Sequence, residues 1–504
     1  MHNASKVIIN TFAQYIRTII NLCLSLYSTR LILSSLGVED YGIYTLIAGV
    51  VYLLSFAINA LVVTTQRYMS FYSGKGDTNK LKEIFCNSLV IHISLGVILA
   101  ILIKLVGLFL FEGFFNIAPE RINAAKAVFH FVILMLVLSF WTAPFRALLI
   151  SHENIVYISI VDIFNGILKV LIALFIASVD TDRLILYSAL LSLIQMFEFL
   201  AFSVFDFRFY SECILPKLRY LNKNYIKEIS SFAGWTIYSV GCITGRSQGI
   251  SIILNKFIGV VANASYGIAL QVNGAMLFLS QSLLNALNPQ IMKAEGVGDR
   301  KKMLRLSEIE SKFSFLLIGM VVIPCLFEMP SLLKVWLGEE PDNAVMFCRF
   351  ILLSSLVDQS TIGLGTANQA IGNIKRYSLT VNTIKLLTLI PFCISLLIGT
   401  GIFVSMVIYL LFEIICAMIR LLFLRNAGLS IKKFVERVFM RELFPILSVT
   451  VVSMFITYST NFEYRFVITI LVSMCMMALT VMIGGLCPDE KQILKVIISK
   501  IKKR

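Results

Sequence analysis

Charge is the first thing this chain lacks. Only 14% of its 504 residues are Asp, Glu, Lys or Arg, where a soluble domain carries about 25%. Such a chain cannot cover its own surface in water. Metal and redox signatures are missing as well. The ten cysteines (Cys23, Cys86, Cys213, Cys242, Cys325, Cys348, Cys393, Cys416, Cys475 and Cys487) stand singly, and none forms a C-x-x-C pair. They read as small packing residues rather than disulfides or ligands. The four histidines, His2, His92, His130 and His152, have no metal-ligand spacing, so neither a metal nor any other cofactor is expected. No G-x-x-x-x-G-K-[ST] occurs, which leaves the chain without a nucleotide-binding loop of its own. The first apolar run is not followed by a small-residue cleavage site and is expected to stay as a helix rather than leave as a signal peptide.

What the chain has is hydrophobic length. Apolar residues make up 58% and the mean hydropathy is +0.86. Runs long enough to cross a bilayer recur throughout. They predict an all-α polytopic membrane protein with about fourteen spans: 7–33, 42–66, 84–111, 122–148, 155–178, 184–206, 231–257, 266–287, 307–330, 344–370, 377–398, 402–424, 443–458 and 465–486. Alternate loops are basic, as at Arg67, Lys75, Lys80 and Lys82, or Lys293, Arg300, Lys301, Lys302 and Arg305. The loops between are short and neutral or acidic, such as Glu39-Asp40 and GEEPD at 338–342. The positive-inside rule then places the basic loops and both termini in the cytoplasm. The net charge of +15 reads as orientation and contact with anionic lipid, not nucleic-acid binding.

The chain repeats itself. Tyr41-Gly42-Ile43 returns as Tyr266-Gly267-Ile268, and GKGD at Gly74–Asp77 returns as GVGD at Gly296–Asp299. Gly76 to Gly298 and Pro119 to Pro341 are both 222 apart, and SHENI ending at Ile155 matches AIGNI ending at Ile374, 219 apart. Each copy holds six spans, so both face the same way. The expected architecture is two parallel six-helix lobes about a pseudo-two-fold axis, a transporter plan with the substrate path between the lobes. The segments are 1–206 for the first lobe, 207–230 for a cytoplasmic linker and 231–425 for the second lobe. An amphipathic linker and two extra helices fill 426–486, and 487–504 forms a basic tail.

Polar residues fall in stripes. On the first span Asn10, Gln14, Arg17, Asn21, Ser25 and Ser28 follow helical spacing. Tyr52, Ser55, Asn59 and Gln66 form a weaker stripe on the second, and Gln271, Gly274, Gln281, Asn285 and Asn288 form one on the eighth. Ser239, Cys242, Arg246 and Gly249 share a face of the seventh. In hydrocarbon such faces must meet protein or water, either as interhelical hydrogen bonding or as the wall of a wet cavity. Stripes on the first two helices of both copies favour the cavity, with Arg17 and Arg246 as anion-binding forks and structural ion pairing as the alternative. Arg30 leaves the stripe and reads as a snorkelling or paired structural residue near Glu39 and Asp40. Asp162 and Lys169, seven apart, could pair locally, and Lys256 and Arg420 lie near helix ends and would snorkel. Glu198, Asp358 and Glu413 are candidates for proton or sodium coupling.

The runs TRLILSSLGVEDYGIYTLIAGVVYLLSF and TTQRYMSFYSGKGDTNKLKEIF, with KVWLGEEPDNA and ANQAIGNIKRY in the second half, resemble bacterial polysaccharide-transport flippases. These belong to the superfamily that also holds multidrug/toxin extrusion pumps and lipid II flippases. The resemblance implies movement of an undecaprenyl-diphosphate-linked oligosaccharide, an O-antigen or capsule repeat unit, from the cytoplasmic to the outer leaflet of the bacterial inner membrane. It implies alternating access through a cationic cavity, with arginines on the first and seventh helices, where Arg17 and Arg246 stand. Gln14, Asn21, Asn59, Gln271 and Asn285 would then hydrogen-bond the sugars. Partners would be that lipid-linked sugar, the bilayer and the polymerase and chain-length machinery, around a monomer. The position matching Arg17 in the second copy is Ile237, so the two lobes are unequally furnished. Two rivals remain. An ion-coupled small-molecule antiporter of the same superfamily predicts a smaller, more aromatic and acidic cavity, and twelve spans would suffice for it. A membrane polymerase, the enzyme reading, needs a large outer loop that this sequence lacks.

Overall fold

The computed structural model describes residues 2–52, 55–109, 111, 117–337, 340–372, 374–460, 462 and 464–492. Among them there is helix and loop and no strand. Apolar runs become helices because only a helix satisfies every backbone group within one segment in lipid. In chain order they are α1 His2–Tyr52, α2 Ser55–Lys75, α3 Thr78–Phe109, α4 Ile122–Ser151, α5 Ile155–Ala177, α6 Arg183–Phe209, α7 Lys223–Phe257 and α8 Val260–Val297. Then come α9 Arg300–Leu337, α10 Ala344–Gln359 and α11 Ile362–Ile371. Last are α12 Ile374–Leu397, α13 Gly401–Arg425, α14 Ile431–Ser459 and α15 Arg465–Gly485.

Ten helices among the described residues are long and apolar enough to cross a membrane, and α10 with α11, bent by 44°, makes an eleventh. The expected spans 7–33, 42–66 and 231–257 are helical wherever described, in α1, α2 and α7, although they lie outside that set. Large apolar side chains such as Ile160, Val204 and Leu471 point outward, the surface a bilayer would cover. The chain is an all-α polytopic membrane protein.

Several helices start earlier than hydropathy suggests, α3 at Thr78, α7 at Lys223 and α9 at Arg300. Their first turns are polar, so a hydrophobic window misses them, but capping chemistry starts them. Asp77 accepts from the Lys80 amide and Asp299 from the Lys302 amide, each at 3.0 Å, as N-caps do. The glycine before each acid, Gly76 (φ 71°) and Gly298 (φ 85°), is left-handed and ends the preceding helix.

The repeat is visible in the backbone. Gly37 (φ 79°), which breaks α1, matches Gly259 (φ 118°) at the start of α8. Glu153 (φ 59°), between α4 and α5, matches Gly372 (φ 92°), between α11 and α12. Each pair keeps the 222 or 219 offset of the sequence landmarks, so both copies place left-handed residues at the same three turns.

Two compact units form, one of Ile8–Ile237 and one containing Tyr238 onward. In the first, the segment between α6 and α7 lies against α3. Asn87 donates to the Tyr220 carbonyl at 2.9 Å and accepts from the Asn222 amide at 3.1 Å. In the second, Tyr266, Phe347, Leu352 and Val322 are central to the core. The two helices outside the repeat join α9 at two places. Glu328, fully buried, takes Arg465 at 2.8 and 3.0 Å and Thr469 at 2.9 Å. Toward the other end, Lys312 binds Glu490 and the Gly485 carbonyl, and Arg305 binds Asp489 and Glu490. The expected tail therefore begins as an acidic clamp at Asp489 and Glu490; from 493 it lies outside the described residues.

Candidate functional site

Each unit holds a buried charged cluster. In the first, Asp162 on α5 is gripped by two arginines. Arg17 from α1 donates to Oδ2 at 2.8 Å, and Arg146 from α4 donates to Oδ2 at 2.7 Å and Oδ1 at 3.3 Å. Arg146 also reaches Glu198 on α6 at 3.2 Å, and Asn165 donates to the other oxygen of Glu198 at 3.2 Å. A cavity of about 280 Å³ opens beside them, lined by Asn21, Ser25, Ser28, Asp162, Asn165, Gly166, Lys169 and Glu198. Among the described residues no aromatic side chain is in that wall. The amide oxygens of Asn21 and Asn165 are buried behind the wall without a hydrogen-bond partner. Gly166 gives it room, since a methyl group there would stand 2.6 Å from the Asn21 amide oxygen.

In the second unit, Arg246 on α7 donates to Glu413 on α13 at 2.8 Å and lies over the Tyr409 ring at 4.5 Å. Lys385 on α12 stands 2.5 Å from Glu413 and 2.7 Å from Asp358 on α10. Arg420 on α13 binds the same Asp358 oxygen at 2.7 Å, and also the Asp358 carbonyl and Thr361 at the α10–α11 break. Side-chain exposure is 2% at Glu413, 5% at Lys385 and 9% at Arg246, against 17% at Arg17 and 30% at Arg146. The first cluster opens on the cavity, whereas in the second Glu413, Lys385 and Arg246 are closed in and Asp358, 22% exposed, is the open end.

The first-span stripe divides along its length. Asn10 donates to the Glu153 carbonyl at 2.8 Å and Gln14 is buried beside it, which is the hydrogen-bonding alternative. Arg17 is held by Asp162, and Asn21, Ser25 and Ser28 line the cavity. Asn59 and Gln271 are exposed, and Asn285 accepts from Gln281 at 3.2 Å. The three coupling candidates all turn out to be engaged: Glu198 by Arg146, Asp358 by Lys385 and Arg420, Glu413 by Arg246 and Lys385.

Some sequence expectations change. Asp162 does not pair with Lys169, because two guanidiniums from neighbouring helices reach it first; Lys169 faces the cavity instead. Arg420 does not snorkel, since the acid it satisfies is inside the unit. The side chains of Arg30 and Glu39 lie outside the described residues; Asp40 is bound by Arg121, which also takes Asp182. Sequence reasoning missed Arg146. Its signal was an arginine two residues after Pro144 inside an otherwise apolar span, a cation that burial obliges to find an acid.

No protein-family model matches this chain, and no curated protein does. Solved structures do match. A MATE protein in complex with MaL6 has a TM-score of 0.70 at 14% identity, over 85% of this chain and 97% of the other. A MATE protein in the bent conformation gives 0.72 at 14%, over 86% and 96%. A MOP-superfamily transporter from Pyrococcus furiosus, described as having a binding pocket of reversed polarity, gives 0.69 at 13%, over 84% and 95%. The chain has the fold of MATE and MOP-superfamily transporters.

Proposed function

We propose that this chain is a transporter and that its cargo is a lipid-linked oligosaccharide, an undecaprenyl-diphosphate repeat unit carried from the cytoplasmic to the outer leaflet of a bacterial inner membrane. The observation that carries the reading is the all-polar wall of the first-unit cavity. Amides, hydroxyls and Lys169 are groups that hydrogen-bond sugar hydroxyls. A cavity of about 280 Å³ is at the small end of ligand sites, so it would take one sugar residue rather than the whole repeat unit. Arg17 and Arg146 at its side would favour the anionic end of the cargo. Outward movement of that negative charge is favoured by an inside-negative potential, about 2.3 kcal/mol per charge per 100 mV. Basic loops and both termini would face the cytoplasm, and a polymerase with its chain-length machinery would act on the product.

A second reading is a drug antiporter. It is favoured by Asp162 and Glu198 in the same wall, which would attract a cationic substrate if their arginines let go. The fold accommodates either cargo.

The test uses cells lacking the gene. Lipid-linked intermediates are identified by mass spectrometry, and an impermeant sugar-reactive probe reports their leaflet. Complete repeat units trapped inside support the flippase, and Arg17→Ala should reproduce the trap. Unchanged intermediates leave the antiporter as the better reading, and unpolymerised units outside point to a polymerase.

A further inference from the structure

Among the buried acids outside the two clusters, one sits at a helix break. Glu310 on α9 is fully buried, and neither carboxyl oxygen has a hydrogen-bond partner. It faces the start of α11, where a methyl group added to Gly363 would lie 3.0 Å from its Oε2. Gly363 follows directly on the break between α10 and α11, and its amide is held by Ser311 at 3.1 Å.

Most charged groups on the surrounding helices are engaged elsewhere, and Glu442 keeps one carboxyl oxygen unpartnered. On α9 itself Glu308 goes to Arg305 and Arg437, and Lys312 to Glu490. On α10 Asp358 is bound by Lys385 and Arg420, on α8 Glu295 is bound by Arg300, and α11 has no charged residue. Glu442 of α14 and Lys293 of α8 complete the set, and none of these charges acts on Glu310. The hydroxyl that approaches it, Thr366 on α11, already donates its proton to Asn288 at 3.0 Å. With its proton on Asn288, that hydroxyl offers Glu310 an acceptor, which a carboxylic acid can use as a donor.

The repeat strengthens the case. At the 222 offset Glu310 matches Ser88 on α3, and Ser314 matches His92. All four are fully buried, and Ser88 Oγ, His92 Nε2 and Ser314 Oγ also lack partners. Each third helix thus carries one hydroxyl and one titratable group a turn apart, with the order exchanged.

We propose that Glu310 is a proton-binding site that governs the α10–α11 break: protonated, it donates to Thr366 and packs against Gly363; ionised, it repels that packing and loosens α11. Within the transport reading, on which its role in a cycle rests, this is where a coupling proton is taken up and released.

Two measurements on purified wild-type protein test it without any cargo. The infrared difference between wild type and Glu310→Gln should contain a carboxylic-acid C=O stretch at neutral pH that disappears as pH rises. Hydrogen exchange of amides 360–371, corrected for intrinsic pH dependence, should speed several-fold over the same interval in wild type and stay flat in Glu310→Gln. Glu310→Asp, which keeps the acid, should retain both responses and serves if the amide variant does not fold. Absence of the acid band, or the same exchange response in Glu310→Gln as in wild type, overturns the proposal. A failed leaflet assay in cells would overturn the flippase reading and leave these two results standing.

Discussion

Both halves gather three cations about two carboxylates, yet they use them in opposite ways. The first unit draws Arg17, Arg146 and Lys169 from α1, α4 and α5 around Asp162 and Glu198, and leaves a cavity at the edge. The second draws Arg246, Lys385 and Arg420 from α7, α12 and α13 around Asp358 and Glu413, and closes over Glu413 and all three cations. The sixth helix of each copy supplies an acid, Glu198 or Glu413. The arginine that meets it comes from the fourth helix in one copy and from the first in the other. Composition is shared and wiring is not, so the same charge count gives an open polar wall in one half and a locked core in the other.

That contrast predicts unequal responses to losing an arginine. Arg246→Ala leaves Glu413, 2% exposed, with Lys385 as its remaining cation, and should cost about 3 kcal/mol, read as a drop in melting temperature in detergent. Arg17→Ala leaves Asp162 still held by Arg146. It should cost about 1–3 kcal/mol and, under the flippase proposal, show mainly as accumulated intermediates on the cytoplasmic side. Equal thermal losses would break the comparison.

Two glycines sharpen it. A methyl group at Gly363 would fall 2.2 Å from the Ser307 carbonyl oxygen, which is backbone and cannot turn aside. Gly363→Ala should therefore destabilise by about 1–3 kcal/mol. At Gly166 the obstructing atoms belong to the Asn21 and Leu24 side chains. Gly166→Ala should leave the melting temperature within a degree or two of wild type, since helical alanine offsets about 1 kcal/mol of strain, while transport falls as the cavity fills.

The smallest effect concerns a loop of the first half. Burial disfavours the Glu212 carboxylate, but the hydrogen bond and charge of His152, 2.5 Å away, outweigh it and hold its pKa below the ordinary value. A depressed carboxylate contributes stability above its unfolded pKa of about 4.3 and loses it as pH falls through the folded value. Thermal stability of wild type should drop over that acidic range, and Glu212→Gln should be lower at neutral pH and flatter with acidification.

The helices and the repeat were legible because apolar length and left-handed glycines are written locally: Gly76 and Gly298 mark their turns by residue type alone. The cavity was half legible. Asn21, Ser25 and Ser28 announced one face by spacing, but Asn165, Lys169 and Glu198 come from helices that a single-helix wheel cannot bring together. Pairings were least legible. Arg17 could be placed inside a span, but its acid lies 145 residues away, and only packing chooses among several buried acids. Glu310 escaped notice because it follows the basic residues at 300–305 and looks from sequence like part of a charged helix start.

The two offsets, 222 before the fourth span of each copy and 219 after it, carry a consequence for anyone exchanging parts between the halves. The stretch from Pro341 to Gly372 is three residues shorter than that from Pro119 to Glu153. On a continuous helix three residues are about 300° of rotation and about 4.5 Å of rise, so every later side chain would arrive about 60° out of phase. The break between Gln359 and Ile362 falls within that shorter stretch, where the longer copy runs unbroken through Pro144. A chimera that swaps α4 for α10 and α11 would inherit the phase error along with the helix, whereas one cut at the matched glycines 76 and 298 and closed before Pro119 and Pro341 would keep register.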